Sequence, residues 1–326
     1  MWKILALLLF AAATPASAQT YVMKIGNATI NDVQHEWQKR FAARVNKADG
    51  RIKAEVYPAS QLGPQPQMIN GVQLGTIEAL IIPPEFLVGV DPRFQVIGAP
   101  GLIKSWEHAY KVSQDPAVRK LMFELGTKQG VRGVSMIIHG PTMVASKEPL
   151  RTLDDFRGKK IRTLPSPMAT EPIKRLGGAP VPMPLPEALT ALRTGVIDGV
   201  YGGLTVFNAF KYHDTAKFVT ATEWAWALPI TFVSNAWFGK LPQDLQAIVL
   251  AEAAGVEKEL YEWVVADNLQ AGTIWTKNGG TLISLSPGDR ERLLKLVAPV
   301  GAETFASNAV LNDAYKALKA RAEALE

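Results

Sequence analysis

Apolar residues recur at intervals of four at Val33, Trp37, Phe41 and Val45, placing one stripe on a helix predicted from about Asp32 to Ala48. Asn31 or Asp32 is positioned to cap its start, and Asp49-Gly50 to end it as a turn. The flanking segments change period. Tyr21–Gly26 reads as a strand, and Ile52–Tyr57 alternates apolar and polar positions as a strand does. A turn-rich stretch, Pro58–Pro66, precedes a helix that carries Met68, Ile69, Val72 and Leu74 and stops at Gly75. Ile77–Ile82 then reads as a buried strand, broken by Pro83-Pro84. Strand, helix, strand, helix, strand in this order predicts an α/β domain with a largely parallel sheet.

The pattern restarts further on. Val131–Ile138, Thr142–Ser146 and Lys160–Thr163 are strand candidates, with His139-Gly140-Pro141 interrupting the first two. Helices follow at about Met168–Leu176 and Pro186–Thr194, the second with proline in its first turn and Gly195 at its end. Val181–Met183 and Val196–Tyr201 complete a second α/β unit, and the chain is expected to cross between units near Gly140. Thr231–Asn235 reads as a strand returning to the first unit. Between Leu245 and Gly272 a helical period is kept by Leu245, Ile248, Val249, Val256, Leu260, Trp263 and Val264. A helix of that length spans about 40 Å, enough to brace two domains. The alternative is two helices with a kink near Gly255.

The first residues carry a different signal. Lys3, the apolar run Ile4–Ala13, Pro15 and the small-residue site Ala16-Ser17-Ala18 follow the order of a secretory signal peptide. Residues 1–18 are therefore expected to be removed and the chain to work outside the cytoplasm. The apolar run is too short to span a bilayer. The chain has 326 residues, 48% of them hydrophobic, enough for one large or two medium domains. It contains no cysteine, which excludes disulfides, cysteine nucleophiles, zinc–thiolate sites and iron–sulfur clusters. The formal net charge of +5 is spread along the chain without a basic run. No nucleic-acid partner is expected, and the charge biases only weakly toward anionic ligands.

Catalytic and phosphate-cradling patterns do not occur. There is no G-x-x-x-x-G-K-[ST], no G-x-G-x-x-G after a strand, no G-x-S-x-G and no H-E-x-x-H. His35, His108, His139 and His213 fall on different elements, and Asp154-Asp155 sit in a loop that looks like a helix cap. No catalytic residue, metal ligand or cofactor is assigned from these residues, which moves the reading from enzyme toward binding protein.

The densest segment is Phe156–Gly202 (FRGKKIRTLPSPMATEPIKRLGGAPVPMPLPEALTALRTGVIDGVYG). Arg162 ends a short strand just before a helix whose first turns hold Ser166, Met168 and Thr170. Strand ends beside helix N-termini are where open α/β sheets bind ligands, and helix N-termini present free N–H groups to anions. An arginine there can pair its planar fork with both oxygens of a carboxylate. It can equally pair with an internal Asp or Glu, and the residues alone leave both readings open.

This segment resembles the DctP-like substrate-binding proteins of TRAP transporters (tripartite ATP-independent periplasmic transporters). In that family a strand arginine is followed by G-A-x-P-x-P-M and E-x-x-x-A-L-x-T-G-x-x-D-G. Here Lys160-Ile161-Arg162 precede Gly178-Ala179-Pro180-Val181-Pro182-Met183 and then Glu187–Gly199. Tyr57–Gly63 (YPASQLG) matches the family's Y-P-x-x-Q-L-G, and Phe238–Asp244 (FGKLPQD) the approach to its long helix. The matches are collinear and cover nearly the whole chain after residue 18.

The resemblance implies an α/β fold of two lobes, the periplasmic-binding-protein fold, with a cleft between them and a long helix bracing both. Lobe I is expected at residues 19–139 plus about 228–267, and lobe II at 140–227 plus about 268–326. It also implies a protein of the Gram-negative periplasm that captures a small organic acid and delivers it to TRAP membrane subunits; a monomer is expected rather than a dimer. Arg162 falls on the family's carboxylate-binding arginine. Departures surround it: Thr142 stands where some members carry a second ligand arginine, Gly202 follows Val200-Tyr201 where many place an amide or aromatic residue, and Leu185 stands where an aromatic is common. With Phe86, Phe207, Trp224 and Trp226 near the cleft, the pocket reads as less charged and roomier, favouring an aromatic or apolar monocarboxylate over a sugar acid. The rival classes are an exported enzyme acting on a small carboxylate and a ligand sensor without a permease.

Overall fold

The computed structural model describes residues 19–326; the expected signal peptide, residues 1–18, lies outside the described residues. The first strand, Tyr21–Asn27, pairs in parallel with Ile52–Tyr57 on one side and Ala79–Ile82 on the other. The helix between the first two strands is Val33–Ala48, with Val33, Trp37, Phe41 and Val45 all buried. Its N-terminus is capped by Asp32, whose Oδ1 accepts from the His35 N–H at 3.1 Å. The helix Gln65–Leu74 ends at Gly75 with φ of 77°, a left-handed conformation that a side chain would strain.

Ile230–Ser234 enters this sheet antiparallel beside Ala79–Ile82, and Val131–Met136 closes the edge antiparallel to it. The result is a mixed sheet of five strands rather than the largely parallel one the alternation predicts. The second sheet has six strands and repeats the device. Met143–Ser146 runs antiparallel to both Phe218–Thr220 and Gly199–Gly202, while Gly199–Gly202, Lys160–Thr163 and Ala179–Pro182 pair in parallel. In each sheet the antiparallel strand is the one that has just arrived from the other lobe, and it enters from the opposite end. Pro180 and Pro182 are tolerated because their strand is at the sheet edge, where no ladder donor is needed.

The lobes meet at one knot of backbone. Gly140–Pro141 and Trp226–Ala227 form a short antiparallel pair. The His139 N–H donates to Ala227 O at 2.9 Å, and Asn268 Nδ2 donates to His139 O at 3.1 Å. Three passages of the chain between lobes are thereby tied together.

Asn268 belongs to the long helix, Gln243–Lys277, which is continuous over 35 residues and therefore roughly 52 Å long. Leu245, Val249, Val256, Leu260 and Val264 fill the core of the first lobe, and Ala271 and Trp275 that of the second. The helix is unbroken at Gly255. A side chain there would bring its Cβ within 2.7 Å of Arg44 Nη2, so the glycine admits Arg44, which pairs with Glu252 and Glu259.

Pro287–Val297 and Val300–Phe305 pack on the second lobe, where Arg175 Nη1 donates to Leu296 O at 2.9 Å. The last helix, Ala309–Glu323, departs from the expected grouping of residues 268–326 with lobe II. It crosses back to the first lobe, pairing Arg321 with Asp115 at 2.5 Å and Ala322 O with His108 Nε2 at 2.9 Å. Its periodicity shows an apolar face but not which surface that face meets. No helix among the described residues is long and apolar enough to cross a membrane.

Candidate ligand-binding site

A cavity lies between the lobes, lined by residues of both. Its lining includes Phe86, Thr142, Arg162, Leu185, Tyr201, Gly202, Phe207 and Trp226, the residues singled out in the sequence. Trp224 is not among them; it stacks behind Tyr201 with ring centroids 5.3 Å apart.

Arg162 is positioned by the two strands that flank its own. Its Nε donates to Met183 O at 3.0 Å, and its Nη1 approaches Tyr201 O at 3.4 Å. The side chain is 3% exposed. No carboxylate lies within ion-pair distance of it among the described residues, so the internal Asp or Glu partner left open by the sequence is not there. Burial lowers its pKa to about 10. Its Cζ lies 5.9 Å from the ring centroid of Phe86, which belongs to the other lobe. The guanidinium is thus preorganised, buried, cationic and unpaired at a cavity wall.

The remaining lining is mostly apolar. Trp226 packs edge-on against Trp106 at 5.0 Å, and Phe207 is wedged among Tyr212, Trp275 and the open face of Gly202. Burial pushes the Tyr201 phenol well above its usual range and keeps it neutral. Thr142 Oγ1 is already committed to Ala225 O at 2.9 Å, so it braces the hinge. The helix after Arg162, Pro167–Arg175, contributes nothing to the lining; its cap, Ser166, is fully buried and its Oγ accepts from the Met168 N–H. Gly203 and the short helix Leu204–Ala209 border the cavity instead, through Gly203, Val206 and Phe207.

Five polar residues on the wall were not identified from the sequence as site residues: Thr29, Gln34, Gln65, Glu85 and His139. Gln65 reaches across the cleft, and its Oε1 accepts from the Leu185 N–H at 3.2 Å. His139 Nε2 lies 3.2 Å from Asp32 Oδ2 and 3.4 Å from Thr205 Oγ1, linking both lobes at the hinge. Gly203 makes room for that ring: a Cβ there would stand 2.7 Å from His139 Cε1. Glu85 is a buried carboxyl next to Phe86. The only sequence cue for it was its place between Pro83-Pro84 and Phe86 at the end of a strand.

Two α/β lobes, a shared hinge and a cleft between them with one buried arginine on its wall define a solute-binding protein of the periplasmic-binding type. The chain belongs to the bacterial extracellular solute-binding proteins, family 7, whose pattern it matches over residues 26–308. It is 30% identical over 256 residues to the 2,3-diketo-L-gulonate-binding periplasmic protein of Escherichia coli, covering 77% of this chain and 78% of that one. It is likewise 30% identical to a solute-binding protein of Roseobacter denitrificans over 251 residues, 76% of each. Among solved structures, the sugar acid binding protein of Advenella mimigardefordensis in complex with galactonate superposes with a TM-score of 0.89 at 22% identity, covering 94% of this chain and 99% of that one.

Proposed function

We propose that this protein works in the periplasm, captures a small organic acid between its lobes, and hands it to the membrane subunits of a TRAP transporter without converting it. The observation that carries the reading is Arg162: a buried guanidinium held by two backbone carbonyls and left without a carboxylate of its own. Leaving a buried charge unpaired is costly, and a ligand carboxylate would offset that cost. The names of the relatives, which bind sugar acids, support a carboxylate as the solute class. Phe86, Leu185, Tyr201 and Trp226 would cover the body of the solute.

Capture would proceed by closure about the Gly140 and Ala227 hinge, with lobe I at 19–139 plus about 228–267 and lobe II carrying 140–227. A solute shifts closure only by its differential affinity for the closed form. Micromolar affinity corresponds to about −8 kcal/mol, of which a charge-assisted arginine pair supplies about 1.5–3. The rest comes from burying the solute body. The test is a thermal-shift screen against organic acids, in which a ligand at 100 times its Kd stabilises by about 2.7 kcal/mol. Shifts with neutral compounds and with no carboxylate would sink the reading.

A further inference from the structure

Glu85 is the only acidic residue on the cavity wall among the described residues. It is the second residue of the turn Pro84–Leu87, which follows the strand Ala79–Ile82 after Pro83, and is 8% exposed. Its Oε2 is buried and has no hydrogen-bond partner. Its Oε1 occupies space left by Gly98, where a Cβ would stand 2.4 Å away. Among the described residues no Lys, Arg or His lies within ion-pair distance of it, Arg162 included, although both residues line the same cavity. Phe86, the next residue, faces the Arg162 guanidinium at 5.9 Å, so Glu85 and Arg162 frame one space from opposite lobes. A buried carboxyl without a partner costs free energy that an apolar residue of the same size would not.

We propose that the solute is a monocarboxylate bearing a hydrogen-bond donor, a hydroxyl or an ammonium group, away from its carboxylate, and that Glu85 accepts from that donor while Arg162 holds the carboxylate. This deepens the function proposed above and rests on it. A second carboxylate at the same place would face Glu85 as a like charge in a low-dielectric cleft, and a methyl group would leave Oε2 unsatisfied. Burial raises Glu85 to about 7, so it stands ionised against a second carboxylate only above that pH, and the probes below are compared at pH 8. Arg162, Tyr201 and His139 are the other titratable groups on the wall.

The test uses the processed full-length chain and two matched probe sets: 4-hydroxybutanoate, pentanoate and glutarate; and 4-hydroxyphenylacetate, 4-methylphenylacetate and 4-carboxyphenylacetate. In the set that binds, calorimetry should give the hydroxyl member an advantage of about tenfold or more over both analogues. Glu85→Gln should shrink that advantage to a few-fold, and Glu85→Met should remove it, with thermal melts confirming that both variants fold. Arg162→Gln should weaken every member of the set alike. Equal or tighter wild-type binding of the methyl or dicarboxylate member, or an undiminished preference in Glu85→Met, overturns the assignment of Glu85. Loss of the preference in Glu85→Met with unchanged affinity in Arg162→Gln would leave Glu85 standing and overturn the anchor instead.

Discussion

Gln65 and Leu185 are 120 positions apart in the chain and face each other across the cleft, where the Gln65 Oε1 accepts the Leu185 N–H at 3.2 Å. One belongs to the first lobe and the other to the second, so the bond exists only when the lobes are together. A neutral hydrogen bond of this kind contributes about 0.5–1.5 kcal/mol net. Gln65→Ala is therefore expected to weaken solute binding by roughly two- to tenfold. The loss should appear as faster dissociation in stopped-flow traces, with melting of the ligand-free protein little changed.

Arg162→Gln should remove carboxylate binding while leaving the fold intact. Two effects on stability oppose each other: the buried guanidinium no longer has to be desolvated, and Met183 O and Tyr201 O lose their charged donor. The net change in ligand-free stability is expected within about 2 kcal/mol. Urea unfolding combined with titration of a bound acid separates the two readouts, and unchanged affinity would refute the anchor.

The pH dependence of stability should carry the mark of Glu85. Burial raises its pKa to about 7 from the ordinary 4.5, so the folded protein holds a proton that the unfolded chain has lost between those values. The resulting stabilisation is full below pH 4.5 and is lost as pH rises through 7, an effect of about 3 kcal/mol. Glu85→Gln should flatten this part of the profile. Urea melts of both proteins at pH 4.5 and pH 8 measure it.

Gly98→Ala should act through the same carboxyl. Its Cβ would stand 2.4 Å from Glu85 Oε1, which has to move. The variant is expected to lose stability, and the loss should largely vanish when Glu85→Ala is already present. A double-mutant cycle by chemical denaturation should show a coupling of about 0.5–3 kcal/mol.

Glu257 ties the long helix to the edge of the first sheet. It is 5% exposed and accepts from the Met136 N–H and from Arg119 Nη1, each at 2.8 Å. Glu257→Ala leaves a buried donor and a half-buried guanidinium without their partner, and should cost about 3 kcal/mol. Arg119→Ala should cost less, because that side chain keeps access to water. Melting curves of the two variants give the comparison.

Much of the fold was written locally. The stripe Val33, Trp37, Phe41, Val45 forms the helix it predicts, and Ile52–Tyr57 is a strand with those bounds. The unbroken apolar period after Leu245 became one helix serving both cores. These features depend on residues within a few turns of one another, so they can be read along the chain. Arg162 was legible for a further reason, the ordered motifs around it. Tertiary structure alone decided the rest. Strand direction changed where Met143–Ser146 and Ile230–Ser234 arrive from the other lobe, and Ala309–Glu323 docked on the lobe opposite to the one expected. An amphipathic face states that it will be buried but not against what. A charged residue in a loop likewise reads the same whether it meets solvent or a cleft: only the packing around Gly98 turned Glu85 inward, and only the absence of a neighbouring carboxylate left Arg162 free for a ligand.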